Sequence, residues 1–478
     1  MKKCITETMR SKALICLTWL VLWQIGALAV GNGLLLPSPL QTLIALWELA
    51  QEGRFYIDGA ATIGRCISAM LLSFAAGMLA AWPAYRYKAV RNFLAMPVSF
   101  FKSVPVMAII IYVILLVASD FVAIIVCFVM CFPIVYTNVL DGLDSVSAEY
   151  PEMARVYGLT ELQKIRLIYM PAIRPNINAA LRLVCGLSWK AVIAAEVLSI
   201  PAFSLGYEML NAKYYLETDR LFAYIAAIVA LSICFEKLVM GLASRRGKSG
   251  AISITPRGEA RGSELTSAPN VIVRGVSKRF DSKLVLNDIT IELPSGEVTA
   301  VSGPSGEGKT TLARIIAGLE NPDSGRVEIA SVGEKASGMD REAGGGDRVK
   351  LSMLFQEDRL LPWLNVYDNI ALGRMNDGGE NLDREIREIA EALELTDALF
   401  LMPEELSGGM KHRVALGRTF IASSNLMILD EPFRGLDEEL KNRITDRLWE
   451  KVTAGKTVIM ISHSRSDCEK LAKRIVSI

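Results

Sequence analysis

At 478 residues with 51% hydrophobic content, the chain is too long for a single domain and too apolar for an ordinary soluble protein, so part of it is expected to sit in a membrane. A formal net charge of +1 offers neither a basic nor an acidic surplus, which argues against a nucleic-acid partner. The eight cysteines lack paired C-x-x-C spacing and lie mostly in apolar runs (Cys16, Cys66, Cys127, Cys131, Cys185, Cys234), so they read as small buried hydrophobes, and two histidines are too few for a His-rich metal centre.

Lys2, Lys3, Arg10 and Lys12 precede an apolar run over residues 13–30. Ala27-Leu28-Ala29 resembles a processing site, but the run exceeds the core of about 7–15 residues found in cleaved signals, so a retained helix is expected. Further apolar spans over residues 62–85, 93–117, 121–140, 177–200 and 221–242 each approach the roughly 20 residues needed to cross a bilayer, predicting a bundle of about six transmembrane helices. Arg86, Lys88 and Arg91 follow the second span, and Arg245, Arg246 and Lys248 the sixth. These basic residues place both segments and the N-terminus in the cytoplasm, as in a multi-pass protein of the cytoplasmic (inner) membrane. Lys190 and Glu196, inside the fifth span, mark either a polar pathway or groups facing the bundle; six positions apart, they are not on one helix face and are not expected to pair.

Between the fourth and fifth spans, residues 141–176 form a polar loop on the cytoplasmic side. It carries Glu152-Met153-Ala154, then Gly158, then Ile168-Tyr169-Met170-Pro171, and reads as two short helices broken at Gly158, where a left-handed turn costs least. Such a loop is suited to docking into a groove on another domain. Residues 244–269, rich in Ser, Gly, Arg and Thr, read as a flexible linker, and residues 333–348, with Gly344-Gly345-Gly346, as a surface insertion.

From residue 270 strands and helices alternate, predicting an α/β core with a largely parallel sheet. Gly303-Pro304-Ser305-Gly306-Glu307-Gly308-Lys309-Thr310-Thr311 fits G-x-x-x-x-G-K-[ST] between an apolar strand (298–301) and a helix (310–317). Its glycines let backbone N–H groups turn toward phosphate oxygens at a helix N-terminus; Lys309 is expected to reach the β/γ-phosphates of ATP and the Thr310 hydroxyl to hold Mg²⁺. The strand 426–429 ends in Asp430-Glu431, where Asp430 is placed to hold Mg²⁺ through water and Glu431 to polarise an attacking water. Ile386, Ile389, Ala390 and Leu393, like Leu436, Leu440, Ile444 and Leu448, form apolar stripes that serve packing.

Leu406-Ser407-Gly408-Gly409-Met410 resembles the LSGGQ signature of ABC transporters, and the loop around Gly158 resembles the EAA loop of ABC importer permeases, with Met153 and Met170 in place of the usual Ala and Leu. The resemblance covers nearly the whole chain. It implies a permease domain at 1–243 with its coupling loop at 150–172 (Glu152, Ala154, Gly158 and Pro171 in the motif), a linker at 244–269, and an ABC-type P-loop ATPase domain at 270–478. It also implies roles: Gln356 in the Q-loop, touching Mg²⁺ and the groove for the EAA loop; Phe280 stacking on adenine; Gly435-Leu436-Asp437 as the D-loop; His463 contacting the γ-phosphate. Leu406, Ser407, Gly408 and Gly409 would bind ATP held by the opposite subunit, a second copy or a related fused half. His412, Gly417 and Thr419 depart from the pattern in the helix behind the signature, which leaves hydrolysis expected.

Leu360-Leu361-Pro362-Trp363, Val366-Tyr367-Asp368-Asn369 and residues 154–158 are most similar to the nitrate, sulfonate and taurine importers, a branch that includes vitamin-precursor transporters and usually keeps permease and ATPase on separate chains. The expected function is ATP-driven import of a small solute delivered by a separate extracytoplasmic binding protein. A half-size exporter or lipid flippase shares the domain order but lacks the EAA loop, and a non-transporting ATPase that gates a membrane partner is also compatible with an intact Glu431 and His463.

Overall fold

The computed structural model describes residues 2–248, 267–281, 283–304, 306–330, 337–338, 349–375 and 381–478. Contacts divide the chain into two compact units, Met1–Val146 with Ala172–Ser249, and Ser147–Pro171 with Gly250–Ile478.

The first unit is helical throughout. Gly53–Arg86, Ser119–Asp144 and Thr218–Ala243 are long and apolar enough to span a bilayer. The expected third span is two helices, Lys88–Ser103 and Val106–Ile114, bent by 99° at the break. Pro105 has no N–H to continue a helix and pushes Val104 into an extended conformation (ψ 130°), so the chain turns there. The first apolar segment belongs to the helix Lys2–Val30. The fifth lies in Met170–Ser199, which carries Arg174, Arg182, Lys190 and Glu196 and is not among those three.

The Glu196 carboxylate is fully buried and satisfied from three directions: Arg65 donates at 2.8 Å, Thr62 at 3.0 Å and the Gly206 N–H at 3.2 Å. Arg65 also donates to the Phe203 carbonyl at 2.7 Å, so one ion pair pins the Gly53–Arg86 helix to the turn after Ser199. A buried charge needs such pairing to persist. Lys190 instead is exposed along a cleft of about 610 Å³ with Met107, Trp189, Ile193, Met209 and Ile228. Of the six cysteines with described side chains, Cys66, Cys127, Cys131, Cys185 and Cys468 are buried as expected; Cys234 faces outward from Thr218–Lys248.

Among the described residues the second unit contains nine strands: β1 (Asn270–Phe280), β2 (Lys283–Leu293), β3 (Val298–Ser302), β4 (Ser324–Ala330), β5 (Ser337–Gly338), β6 (Leu351–Leu354), β7 (Leu426–Asp430), β8 (Thr457–Ile461) and β9 (Arg474–Ser477). β6-β7-β8-β3-β9 form a parallel sheet, with β6, β7 and β8 wholly buried, as uninterrupted apolar strands covered on both faces should be. A second, four-stranded sheet, β2-β1-β4-β5, is antiparallel and was not legible from the alternation of strands and helices. Of the eight stripe residues, Ile386, Ile389, Ala390, Leu393, Leu440, Ile444 and Leu448 are buried and Leu436 is half-buried. Residues 249–266 of the expected linker lie outside the described residues, as does the expected insertion at 333–348 except for β5; the helix before the linker runs on to Lys248.

Candidate nucleotide site and coupling loop

Parallel pairing puts the C-terminal ends of β3, β8, β7 and β6 along one edge. The loop 303–308 follows β3, His463 follows β8, Asp430 and Glu431 close β7, and Gln356 follows β6. Residues far apart in sequence are thereby gathered at the edge where open α/β sheets bind ligands.

Gly306 and Gly308 adopt φ of 88° and 90°, the left-handed region in which a side chain is strained. At Gly308 space is lacking too: a Cβ would come within 2.7 Å of Leu286 and 2.9 Å of Val285. The helix Lys309–Ile316 starts at the next residue. Lys309, 5% exposed, donates to the carbonyls of Gly303 (2.7 Å) and Pro304 (2.6 Å), so its ammonium lies across the mouth of the loop. Pro304 and Glu307 are exposed, Thr311 is half-buried, and Ser305 lies outside the described residues.

Thr310 donates to Asp430 at 2.8 Å. Asp430 is 2% exposed, and burial pushes its carboxyl above the ordinary range even though the Thr310 bond opposes this. A hydroxyl beside a carboxylate is a hard-oxygen donor pair of the kind Mg²⁺ takes, so these residues fit that ion. Glu431 lies 3.1 Å from His463 Nε2 and has φ of 51°, with its N–H donating to Ile461 at the end of β8. Gln356 is exposed at the same edge, and Phe280, 46% exposed at the end of β1, has the Lys278 ammonium 5.3 Å from its ring centroid.

The signature residues form no part of this cluster. Ser407 caps the helix Gly408–Ile421 by accepting from Met410 N–H, Leu406 is buried beneath it, and a Cβ on Gly408 would meet nothing within 4 Å. Ser407 and Gly408 are exposed, and Gly409 lies under Gly435 of the following turn, 3.8 Å from its carbonyl oxygen measured from an added Cβ.

Residues 147–171 of the polar loop belong to this second unit. Its first helix is Glu149–Val156, and Gly158 turns with φ of 67°. The second half is longer than the short helix expected: Glu161–Lys164, capped by Thr160 and Gln163, passes through the π-turn Ile165–Tyr169 directly into Met170–Ser199. Pro171 cannot donate to the Leu167 carbonyl four residues back; Trp363 fills that place, its indole N–H donating to Leu167 O at 2.7 Å. Tyr157 shares a hydrogen bond with Thr419 (3.1 Å) and donates to Met353 O (3.1 Å), while Met153 and Ala154 are fully buried.

Glu152 is the electrostatic anchor of the loop. It accepts from Arg314, on the helix that begins at Lys309, at 3.0 and 3.1 Å, and from Arg359, three residues after Gln356, at 3.0 Å. Burial raises its carboxyl, but the two guanidiniums outweigh burial and hold it below the ordinary value. A depressed carboxylate stabilises docking above its unfolded value and loses that contribution as pH falls through the lower folded value; the loop should therefore stay docked at neutral pH and loosen below about pH 4.5. Glu152→Ala leaves Arg359, 8% exposed, without this partner and should weaken docking by about 1–3 kcal/mol, read as faster hydrogen exchange over residues 147–163. Exchange equal to the parent's would remove Glu152 as the anchor. Neither arginine carries a sequence signal for this role, because both sit in stretches whose motif value lies elsewhere.

A family model described as ABC transporter matches residues 286–434, and one described as binding-protein-dependent transport system inner membrane component matches residues 73–247. The chain is 36% identical over 209 residues to an aliphatic sulfonates import ATP-binding protein, SsuB 2 of Pseudomonas fluorescens, covering 43% of this chain and 72% of that protein. The chain belongs to the ABC transporter family. It is also 38% identical over 216 residues to the sulfate/thiosulfate import ATP-binding protein CysA of Pseudomonas putida, covering 43% of this chain and 63% of that protein. It thus spans less than two thirds of the CysA relative. The Fe(3+) ions import ATP-binding protein FbpC of Haemophilus influenzae is 36% identical over 221 residues, with 61% of it covered. A solved dimeric cassette of a bacterial ABC transporter is 24% identical, with a TM-score of 0.38, covering 44% of this chain and 94% of that one. Matches to a permease family and to the ABC transporter family thus fall on this one chain, and residues 147–171 of the polar loop group with the second unit.

Proposed function

We propose that this ABC chain is one half of an ATP-driven importer, working as a dimer of two copies or with a related fused half in the cytoplasmic membrane, its N-terminus and ATPase in the cytoplasm. The observation that carries the reading is the seat of Glu152: a residue between two membrane helices is held by Arg314 on the P-loop helix and Arg359 beside Gln356. Solute reaches the permease from a separate extracytoplasmic binding protein. The resemblance leaves nitrate, sulfonate, taurine or a vitamin precursor as candidate solutes.

In this reading the backbone N–H groups of 303–308 and the Lys309 ammonium bind the phosphates, and Phe280 offers an exposed ring face to adenine. Thr310, Asp430 through water, and Gln356 would hold Mg²⁺, which would supply charge neutralisation at the phosphates. Glu431 takes the proton of the attacking water and His463, 3.1 Å away, positions it against the γ-phosphate. The open N-terminus at Ser407, Gly408 and Gly409 faces the ATP of the opposite subunit.

Mixing two inactive variants tests the composite site. Lys309→Ala and Gly408→Glu chains should each be inactive alone. In a mixed dimer both lesions fall on one site and the other site is intact, so co-expression should restore about a quarter of the parent activity. An absence of recovery, with mixed dimers verified by two affinity tags, would overturn the shared-site reading.

A further inference from the structure

We propose that His412 is a positioning residue that ties the strand end bearing Glu431 to the segment holding the coupling loop, so that closure on ATP is felt at Glu152. This rests on the ATP-driven reading above and names a part of its coupling that the motifs do not contain.

His412 lies in the signature helix, 3% exposed. Its Nε2 is 3.2 Å from the carbonyl oxygen of Pro432, the residue after Glu431, and its Nδ1 is 3.1 Å from Asp358 Oδ1, two residues after Gln356. Both oxygens can accept, and the ring lies between them with one nitrogen turned to each. The imidazole bridges two segments, one after the end of β7 and one after the end of β6.

The Asp358 side of this bridge is held firmly. Arg418, six residues along the same helix and 1% exposed, donates to Asp358 O at 2.8 Å and to Arg359 O at 2.9 Å. Arg359 sits at φ of 47°, a conformation a non-glycine residue keeps only when its surroundings fix it. Its guanidinium stacks on Phe355 at 4.0 Å and donates to Glu152. A contiguous line of contacts therefore runs from Glu431-Pro432 through His412 to Asp358-Arg359 and on to Glu152. Displacement of the peptide after Glu431 has to stretch the Nε2 bond or carry the signature helix and Asp358 with it. A leucine at this position fills similar volume and transmits neither pull, whereas a glutamine amide donates to one of the two oxygens.

The test uses the full chain in lipid nanodiscs, with trinitrophenyl-ATP for nucleotide affinity and hydrogen exchange over residues 147–163 before and after trapping with Mg-ATP and vanadate. The parent should change its loop exchange on trapping. His412→Leu should bind the analogue within about twofold of the parent while its loop response falls about fivefold or more, and His412→Gln should be intermediate. A His412→Leu response equal to the parent's overturns the proposal. Parallel loss of nucleotide affinity and loop response also overturns it, since that pattern marks general support of the helix. A parent chain that binds no nucleotide overturns the ATP-driven reading itself and this inference with it.

Discussion

Glu431→Gln is expected to lower ATP turnover by about 10²–10⁴-fold while leaving nucleotide affinity within about twofold of the parent. The amide keeps the size of the side chain and the backbone geometry and removes only the basic oxygen. Burial and position single out this carboxylate: Asp430 is occupied by the Thr310 hydroxyl, whereas Glu431 keeps 24% side-chain exposure toward His463. Its φ of 51° is a conformation that costs a non-glycine residue about 1–3 kcal/mol and tends to be retained where it aims a functional group. Phosphate release and trinitrophenyl-ATP binding on the same preparation separate the two effects. Turnover close to the parent's would move the base to another residue.

Gly158→Val should disconnect the membrane half from the ATPase. At φ of 67° a side chain costs about 1–2 kcal/mol, and a β-branched one more. The turn also sets the direction of both flanks: Tyr157 on one side bonds Thr419 and Met353, and on the other Leu159 N–H returns to Ala154 O at 2.9 Å. Relieving the strain means withdrawing Tyr157 from its seat. The expected result is loss of about tenfold or more in the turnover stimulated by a liganded binding protein, with nucleotide affinity unchanged, because Lys309 and Thr310 bond to Gly303, Pro304 and Asp430. Normal solute accumulation in this variant would end the assignment of residues 150–172 as the coupling loop. Read together with Glu152→Ala, it separates an electrostatic anchor from a conformational one.

Much of the ATPase was legible because its chemistry is written in short spacings. A loop that must bend twice into the left-handed region and then start a helix requires glycines at fixed offsets before Lys309, and those offsets survive in the sequence whatever surrounds them. The same holds for Asp430 and Glu431 at the end of an apolar run, and for Pro105, whose missing N–H gives a local reason for the break inside an apolar stretch that hydropathy alone read as one span. The antiparallel sheet was not legible, since periodicity within β1 does not say that β2 and β4 flank it.

What the sequence by itself pointed to was the kind of chemistry expected and the residues proposed to carry it: a phosphate loop, an acidic strand end, a signature helix and a helix-Gly-helix loop between apolar spans. Tertiary structure alone decided which groups meet. Arg314 and Arg359 close on Glu152, Trp363 completes the carbonyl that Pro171 leaves open, Arg65 neutralises Glu196, and His412 bridges Pro432 to Asp358. A motif is a property of backbone conformation over a few residues and is fixed locally. An ion pair or a hydrogen bond between residues scores of positions apart exists only once packing has excluded water and set two elements at one distance, and no spacing along the chain records that distance.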